Sequence, residues 1–88
     1  MTFTQIRYAI AVAETGSMTK AAKQIGVRQP SVSNAISDLE REMNMQLFER
    51  AGRGVTVTAP GKEFLSEITA LCQSIQSMEE RYQPVVFR

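Results

Sequence analysis

Apolar side chains recur at helical spacing in three stretches of the first 44 residues. Steps of three and four residues place such side chains on one face of a helix. The first helix is predicted to follow Thr2, which has the spacing of a capping box with Gln5, and to stop at Gly16. Its inward residues are predicted to be Phe3, Ile6, Ala9, Ile10 and Ala13.

The next two helices are predicted to pack as a pair. Ser17 is a good N-cap for the second helix, which stops at Gly26 with Met18, Ala21, Ala22 and Ile25 inward. The third begins near Gln29 and ends near Asn44, a residue that tolerates a left-handed conformation. Its inward residues are predicted to be Val32, Ala35, Ile36, Leu39 and Met43. A short turn between two short helices predicts a helix-turn-helix at about residues 18–37.

A β-hairpin is predicted directly after the third helix. Residues 45–50 and 55–58 have the character of short strands, and the two glycines in AGRG between them permit a tight loop. A hairpin in this position is a wing, at about residues 46–58. We therefore expect residues 1–58 to form a mainly α winged helix-turn-helix domain of three helices and a two-stranded wing.

The remaining residues predict one long helix over 59–83, capped by Thr58 and with Pro60 in its first turn. Its apolar residues alternate in steps of four and three, a coiled-coil pattern that favours pairing with a second copy of the chain. The alternative, that the stripe folds back onto its own domain, stays open. The predicted interface residues are Phe64, Leu65, Ile68, Leu71, Cys72, Ile75, Met78 and Tyr82.

Pro84 ends this pattern, and residues 84–88 predict the start of a strand that belongs to a further, C-terminal domain. Eighty-eight residues with 43% hydrophobic and 22% charged side chains suit one small globular domain. No apolar run approaches the length of a membrane span, and the single cysteine excludes an intramolecular disulfide. These features predict a cytoplasmic protein that does not bind membranes.

Catalysis and metal binding are not predicted. The chain has no histidine, which is the commonest general base and metal ligand. Cys72 lies within an apolar pattern, where an inert thiol is expected. Glu40 and Glu42 are interpreted as solvated residues on a charged flank of the third helix. We expect no enzymatic activity, no metal site and no cofactor in these 88 residues.

The exposed arc of the third helix carries Ser33, Asn34 and Ser37 instead of the usual Lys and Glu. Short, uncharged side chains that form hydrogen bonds allow a helix to approach base edges in the major groove. We therefore predict that residues 29–43 are a recognition helix for double-stranded DNA. A polar surface helix with no ligand is the alternative interpretation. The further predicted DNA contacts are Thr19, Lys20, Arg28, Gln29, Ser31, Arg50 and Arg53.

These predicted contacts differ in kind. Gln29 is placed to reach an adenine or a phosphate, and Arg53, at the predicted tip of the wing, to reach the minor groove or a phosphate. Thr19 and Lys20 are expected to touch phosphates. Arg50 either contacts DNA or pairs with a carboxylate such as Glu49. The net charge of +1 is compatible with DNA binding without requiring it.

One consistent register contains Gln29-Pro30, Ser33, Leu39-Glu40, Leu47-Phe48, Arg50, Arg53, Thr58 and Gly61. In this register, residues from about Ile6 to Gly61 resemble the DNA-binding domain of LysR-type transcriptional regulators. The resemblance implies a bacterial regulator that binds operator DNA through its recognition helix, at Gln29, Pro30 and Ser33, and through the wing arginines Arg50 and Arg53. It also implies homodimers formed by antiparallel linker helices, tetramers at full length, and a C-terminal domain that binds a small-molecule effector.

Three positions depart from the family pattern. Arg28 replaces the usual serine cap, and a cation at a helix N-terminus is unfavourable, so we expect it to contact a phosphate. Ala9 replaces a phenylalanine, so neighbours such as Phe48 or Met18 must fill the core. Asn34 stands where an arginine is frequent, and this exchange favours adenine over guanine at the contacted base pair. The near-zero net charge leaves one rival function, a winged-helix module that dimerises and binds protein instead of DNA.

Overall fold

The computed structural model describes residues 1–82 as four helices and one hairpin. In chain order these are α1 (Phe3–Thr15), α2 (Met18–Ile25), α3 (Gln29–Met43), β1 (Phe48–Ala51), β2 (Gly54–Val57) and α4 (Ala59–Tyr82). The order confirms the predicted class, a mainly α winged helix-turn-helix followed by a long helix. The last residue predicted for the long helix and the strand predicted at 84–88 lie outside the described residues.

The first two helices begin at capping motifs that are local in sequence. The backbone N–H of Gln5 donates to Thr2 Oγ1 at 3.1 Å, and the N–H of Thr2 donates to Gln5 Oε1 at 2.9 Å. This reciprocal pair is the predicted capping box. In α2 the N–H of Lys20 donates to Ser17 Oγ at 3.1 Å. Both N-terminal predictions are therefore confirmed.

The first three helices end at left-handed residues, as predicted. Gly16, Gly26 and Asn44 have φ angles of 70°, 87° and 51°. Glycine adopts this conformation without steric cost, and asparagine tolerates it better than most residues. Each helix therefore stops abruptly, and the short turns bring α1, α2 and α3 together as a three-helix unit that contains the helix-turn-helix.

The core combines the inward faces of these helices with residues from the wing and from α4. Its largest fully buried side chains are Val12, Val32, Ile36, Leu39 and Leu47. Ala9 is completely buried. Phe48 also lies in the core, and Met18 packs against the core, as expected for neighbours that fill the space beside a small residue at position 9.

Phe3 was predicted to face inward, and this prediction is wrong, because its side chain is 62% exposed. A helical side chain covers the turn that precedes its own Cα. Phe3 is the first residue of α1 and has no preceding turn to cover. Its side chain therefore lies beyond the packed part of the helix.

The wing is shorter at its first strand than predicted. The antiparallel register pairs Phe48 with Val57 and Ala51 with Gly54. Residues 45–47, predicted as strand, lie outside β1, because the N–H of Leu47 donates to the side chain of Glu40 at 2.7 Å instead of joining the ladder. The carbonyl of Leu47 accepts from the N–H of Thr58 at 2.9 Å.

The second strand of the wing rests on the turn between α1 and α2. The N–H of Val55 donates to the carbonyl of Gly16 at 3.0 Å. A Cβ on Gly54 would lie 2.4 Å from that same carbonyl oxygen, so the close approach requires glycine. The wing is therefore attached to the helical body by its backbone as well as by Phe48.

α4 changes character along its length. Phe64, Leu65 and Ile68 are 6–8% exposed in the core of their own chain, whereas Leu71, Met78 and Tyr82 are 47–71% exposed. Cys72 and Ile75 are half-buried. The prediction that the whole stripe faces a partner is therefore corrected for its first part, since α4 packs there against α1. No helix within residues 1–82 is long and apolar enough to cross a membrane.

Candidate nucleic-acid interface

The recognition helix α3 begins without a side-chain cap. Arg28 occupies the N-cap position, its side chain makes no capping hydrogen bond, and Pro30 lies in the first turn. Arg28, Pro30 and Ser31 are all exposed. The positive end of the helix dipole and the Arg28 guanidinium therefore meet at one exposed helix end, an arrangement that suits a phosphate group.

Two predicted DNA contacts are joined one turn apart on this helix. The amide Nε2 of Gln29 donates to Ser33 Oγ at 2.5 Å, and both residues are half-buried. The hydrogen bond leaves the carbonyl oxygen of Gln29 as an acceptor and the hydroxyl proton of Ser33 as a donor. The pair therefore presents an ordered set of donors and acceptors at the start of α3.

Asn34 and Ser37 continue this polar arc and are exposed. Among the hydrogen bonds of residues 1–82, none uses either side chain. Both are short, and Asn34 offers an amide donor beside a carbonyl acceptor. The arc therefore has the composition needed for direct contact with base edges.

A polar cleft of about 200 Å³ separates α3 from the wing. It brings the serines of the recognition helix together with Arg50 of β1, which the sequence alone did not place side by side. Arg50 is exposed, and the ion pairs of residues 1–82 are Arg41–Asp38 and the Met1 amino group with Glu42. The predicted alternative for Arg50, pairing with Glu49, is therefore not formed. The cleft is lined by Met18, Ser33, Ile36, Ser37, Glu40, Gln46, Phe48, Glu49, Arg50 and Val55.

The remaining predicted contacts surround this cleft. Arg53 is exposed in the turn that joins β1 to β2, beside Gly52 with a φ of 58°. Thr19 and Lys20 are exposed in the first turn of α2, directly after Met18, which lines the cleft. Exposed cations therefore lie at the start of α2, the start of α3 and the wing.

Glu40 has a role that sequence analysis missed. It was interpreted as solvated, yet it is half-buried, and its Oε2 accepts from the N–H groups of Leu47 at 2.7 Å and Phe48 at 3.2 Å. Leu47 lies seven positions after Glu40, so no capping or turn spacing indicates this contact. Glu42, which was interpreted as solvated together with Glu40, accepts a hydrogen bond from the amino group of Met1.

Comparison with known families gives a match over most of the chain. Residues 3–62 match the family model described as bacterial regulatory helix-turn-helix protein, lysR family. The matched range contains α1 to β2 and the first turn of α4, so it includes every predicted DNA contact.

Curated relatives are named as transcriptional regulators. The HTH-type transcriptional regulator TfdT of Cupriavidus pinatubonensis is 40% identical over 83 residues, which is 94% of this chain and 36% of that protein. The HTH-type transcriptional regulator ClcR of Pseudomonas putida is 44% identical over 71 residues, 81% of this chain and 24% of that protein. The chain thus spans about a quarter to a third of the length of these relatives.

Solved structures with the same fold include complexes with DNA. The CbnR DBD–DNA complex is matched with a TM-score of 0.88 and 36% identity, over 94% of this chain and 95% of that one. The complex of the BenM DBD with benA site 1 DNA is matched with a TM-score of 0.89 and 35% identity, over 94% and 93%. These matches extend through most of α4.

Proposed function

The chain belongs to the lysR family of bacterial regulatory helix-turn-helix proteins, and we propose that it binds double-stranded DNA sequence-specifically, as the DNA-binding part of a transcription regulator. The observation that carries this proposal is the polar arc of α3, which faces Arg50 across one cleft. In this proposal α3 enters the major groove and the wing contacts the minor groove or the adjacent backbone.

Base contacts are proposed for one face of α3. Gln29 and Ser33 read one base pair as a unit, because their mutual hydrogen bond orients the Gln29 amide. Asn34 reads a second pair, where its donor and acceptor match N7 and N6 of adenine. Ser37 lies one turn further along the same arc and contacts a base edge or the adjacent sugar.

Phosphate contacts are proposed for the residues around this face. Arg28 neutralises a phosphate at the N-terminus of α3, where Pro30 and Ser31 approach the same strand. Arg50 contacts the backbone that passes between α3 and the wing, and Arg53 contacts the minor groove or its edge. Thr19 and Lys20 contact a phosphate from the start of α2. These contacts position the domain, whereas the α3 contacts select the sequence.

A homodimer is proposed through the exposed part of α4. Leu71, Met78 and Tyr82 are exposed there, and a second copy of the same helix supplies an apolar partner of equal length. Two copies place two recognition helices on two half-sites, which raises the affinity for a two-fold symmetric operator. The contributing residues are Leu71, Ile75, Met78 and Tyr82, with the half-buried Cys72 at the margin.

The larger assembly is proposed from the size of the relatives. Since the curated relatives are about three to four times longer than the matched segment, we propose that a further domain follows and binds a small-molecule effector. We also propose tetramers for the complete protein. Residues 1–82 need no cofactor and carry no catalytic role in this proposal. Because the operator DNA of a bacterium lies in the cytoplasm, we propose that the protein acts there.

Two measurements test this proposal against the rival function of a protein-binding module. Binding to random-sequence duplex DNA is titrated with salt, and a DNA-binding domain must lose affinity steeply as salt rises. Selection from a random duplex pool should then return a two-fold symmetric site. A chain that binds no duplex at low salt would contradict the proposal and favour the rival.

A further inference from the structure

The wing and the recognition helix are joined by a single carboxylate in the interior of α3. Oε2 of Glu40 accepts two backbone hydrogen bonds, from Leu47 N at 2.7 Å and from Phe48 N at 3.2 Å. Leu47 is the last residue before β1, and Phe48 is its first. Among the side-chain hydrogen bonds of residues 1–82, these two are the ones that connect α3 with the wing.

The other attachments of the wing lead to different parts of the molecule. Val55 donates to the carbonyl of Gly16 in the turn between α1 and α2. Thr58, directly after β2, donates to the carbonyl of Leu47 and accepts from the N–H of Gly61, which ties the base of the hairpin to the first turn of α4. None of these bonds links β1 to α3. The carboxylate of Glu40 does, since the Glu40 backbone belongs to α3 and the carboxylate holds the first residue of β1, in addition to the packing of Phe48 in the core.

Glu40 also lies at the end of the proposed DNA-binding arc. It follows Ser33 and Ser37 at intervals of seven and three residues, which places the three side chains along one side of α3. All three line the cleft across which Arg50 faces the helix. Arg50 follows Phe48 by two residues in β1, so both point to the same face of the strand.

We propose that Glu40 is a positioning residue for DNA binding: it fixes the start of β1 against α3 and thereby sets the spacing between Arg50 and the base-reading arc. This inference rests on the proposed function, since Arg50 matters only if the cleft receives DNA. Glu40 does not touch DNA itself. Its negative charge close to a phosphate backbone is unfavourable for binding, which indicates that the residue serves the geometry instead.

Two conservative variants separate the acceptor from the charge. Glu40→Gln removes the charge but keeps a carbonyl oxygen at the same reach, whereas Glu40→Asp keeps the charge on a side chain one methylene shorter. We expect Glu40→Gln to bind a duplex selected by the wild-type chain at least as tightly as wild type. We expect Glu40→Asp to bind it about ten-fold more weakly, which corresponds to about 1.4 kcal/mol. The matched control is Glu42→Asp, the same change at a residue that contacts Met1 instead of the wing.

A double variant tests whether the effect passes through the wing. In a chain that carries Arg50→Ala, Glu40→Asp should cost little further affinity, because the cation that Glu40 positions is gone. A purely structural role would instead give the same loss in both backgrounds. Hydrogen exchange of the Leu47 and Phe48 amides, measured without DNA, should accelerate in Glu40→Asp and remain slow in Glu40→Gln.

The possible failures are distinguishable. A wild-type chain that binds no duplex would overturn the proposed function and this inference with it. If the wild-type chain binds and Glu40→Asp binds equally tightly, the inference alone would be overturned. The same holds if Glu40→Asp loses the same affinity in the presence of Arg50 and in the Arg50→Ala background. Weak binding by Glu40→Gln together with normal binding by Glu40→Asp would also overturn it, because the charge and not the acceptor would then be what matters.

Discussion

Two exposed surfaces of this molecule differ sharply in composition. The polar arc of α3 carries Ser33, Asn34 and Ser37, and no large apolar side chain is exposed there. The distal half of α4 exposes Leu71, Met78 and Tyr82 at 47–71%. Both surfaces belong to regular helices of one small chain, so the difference does not come from secondary structure.

The difference indicates which kind of partner each surface takes. Base edges and phosphates are bound by short polar groups and cations, which remain hydrated until DNA replaces the water. Exposed apolar residues at heptad spacing are stabilised by another apolar helix. Substitutions can break this division, first at the boundary between the buried and the exposed parts of α4.

The largest effect is expected where α4 is buried. Ile68→Asp places a charge in the core, and we expect it to reduce the free energy of unfolding by about 3 kcal/mol or more. Urea denaturation followed by circular dichroism measures the change. Thr69→Asp, at the next and exposed position, should change stability by less than about 1 kcal/mol. Equal stability of the two variants would show that α4 does not pack on its own domain.

Seven residues further along α4 the same substitution should act on assembly. Ile75→Asp should leave the fold intact and give a monomer in sedimentation experiments. A carboxylate buried between the two helices would have no partner, so the dimer should dissociate. Affinity for a two-fold symmetric operator should fall by about 100-fold or more, since the half-sites are no longer engaged together. Gln76→Asp is the exposed control. A dimer that survives Ile75→Asp would place the interface elsewhere.

On the polar surface, Asn34→Ala should weaken binding to the preferred operator by about 1–3 kcal/mol. The loss should be much smaller on a site that is altered at the contacted base pair. Asn34→Arg should shift the preference at that pair toward guanine without changing the other positions. Selection from random duplex DNA measures both variants. Identical preferences for wild type, Asn34→Ala and Asn34→Arg would mean that Asn34 contacts only phosphate or water.

The smallest effect is expected at the uncapped start of α3. Arg28→Ser supplies the missing cap and should stabilise the free domain by about 0.5–1 kcal/mol. The same change removes a proposed phosphate contact, so DNA binding should weaken by a similar factor for all sequences. The slope of log affinity against log salt should fall in magnitude by about one. Unchanged affinity and slope would make Arg28 an ordinary surface residue.

The features that the sequence predicted correctly are set by residues only a few positions apart. Thr2 and Gln5 are three residues apart, and Ser17 lies three residues before Lys20, so the capping geometry of both helices follows from spacing alone. The left-handed glycine at position 16 and the hairpin loop follow from the same short-range rules.

Long-range contacts were not predictable in this way. The bond from Leu47 to Glu40, and the approach of Gly54 to the carbonyl of Gly16, depend on how separate elements meet in space. The stripe on α4 shows a second difficulty. Packing on the same chain and packing on a partner require the same apolar residues at the same period, so the boundary after Ile68 became visible only in the fold.

The continuity of α4 gives the molecule a mechanical property. The helix has 24 residues, a length of about 36 Å at about 1.5 Å per residue. Its first turns belong to the core, and Gly61 lies so close to the carbonyl of Leu47 that a Cβ there would approach to 2.4 Å. The distal half therefore continues, without a break, a helix that is anchored in the core. We expect a tilt imposed near Tyr82 to be passed on to the recognition domain along this helix.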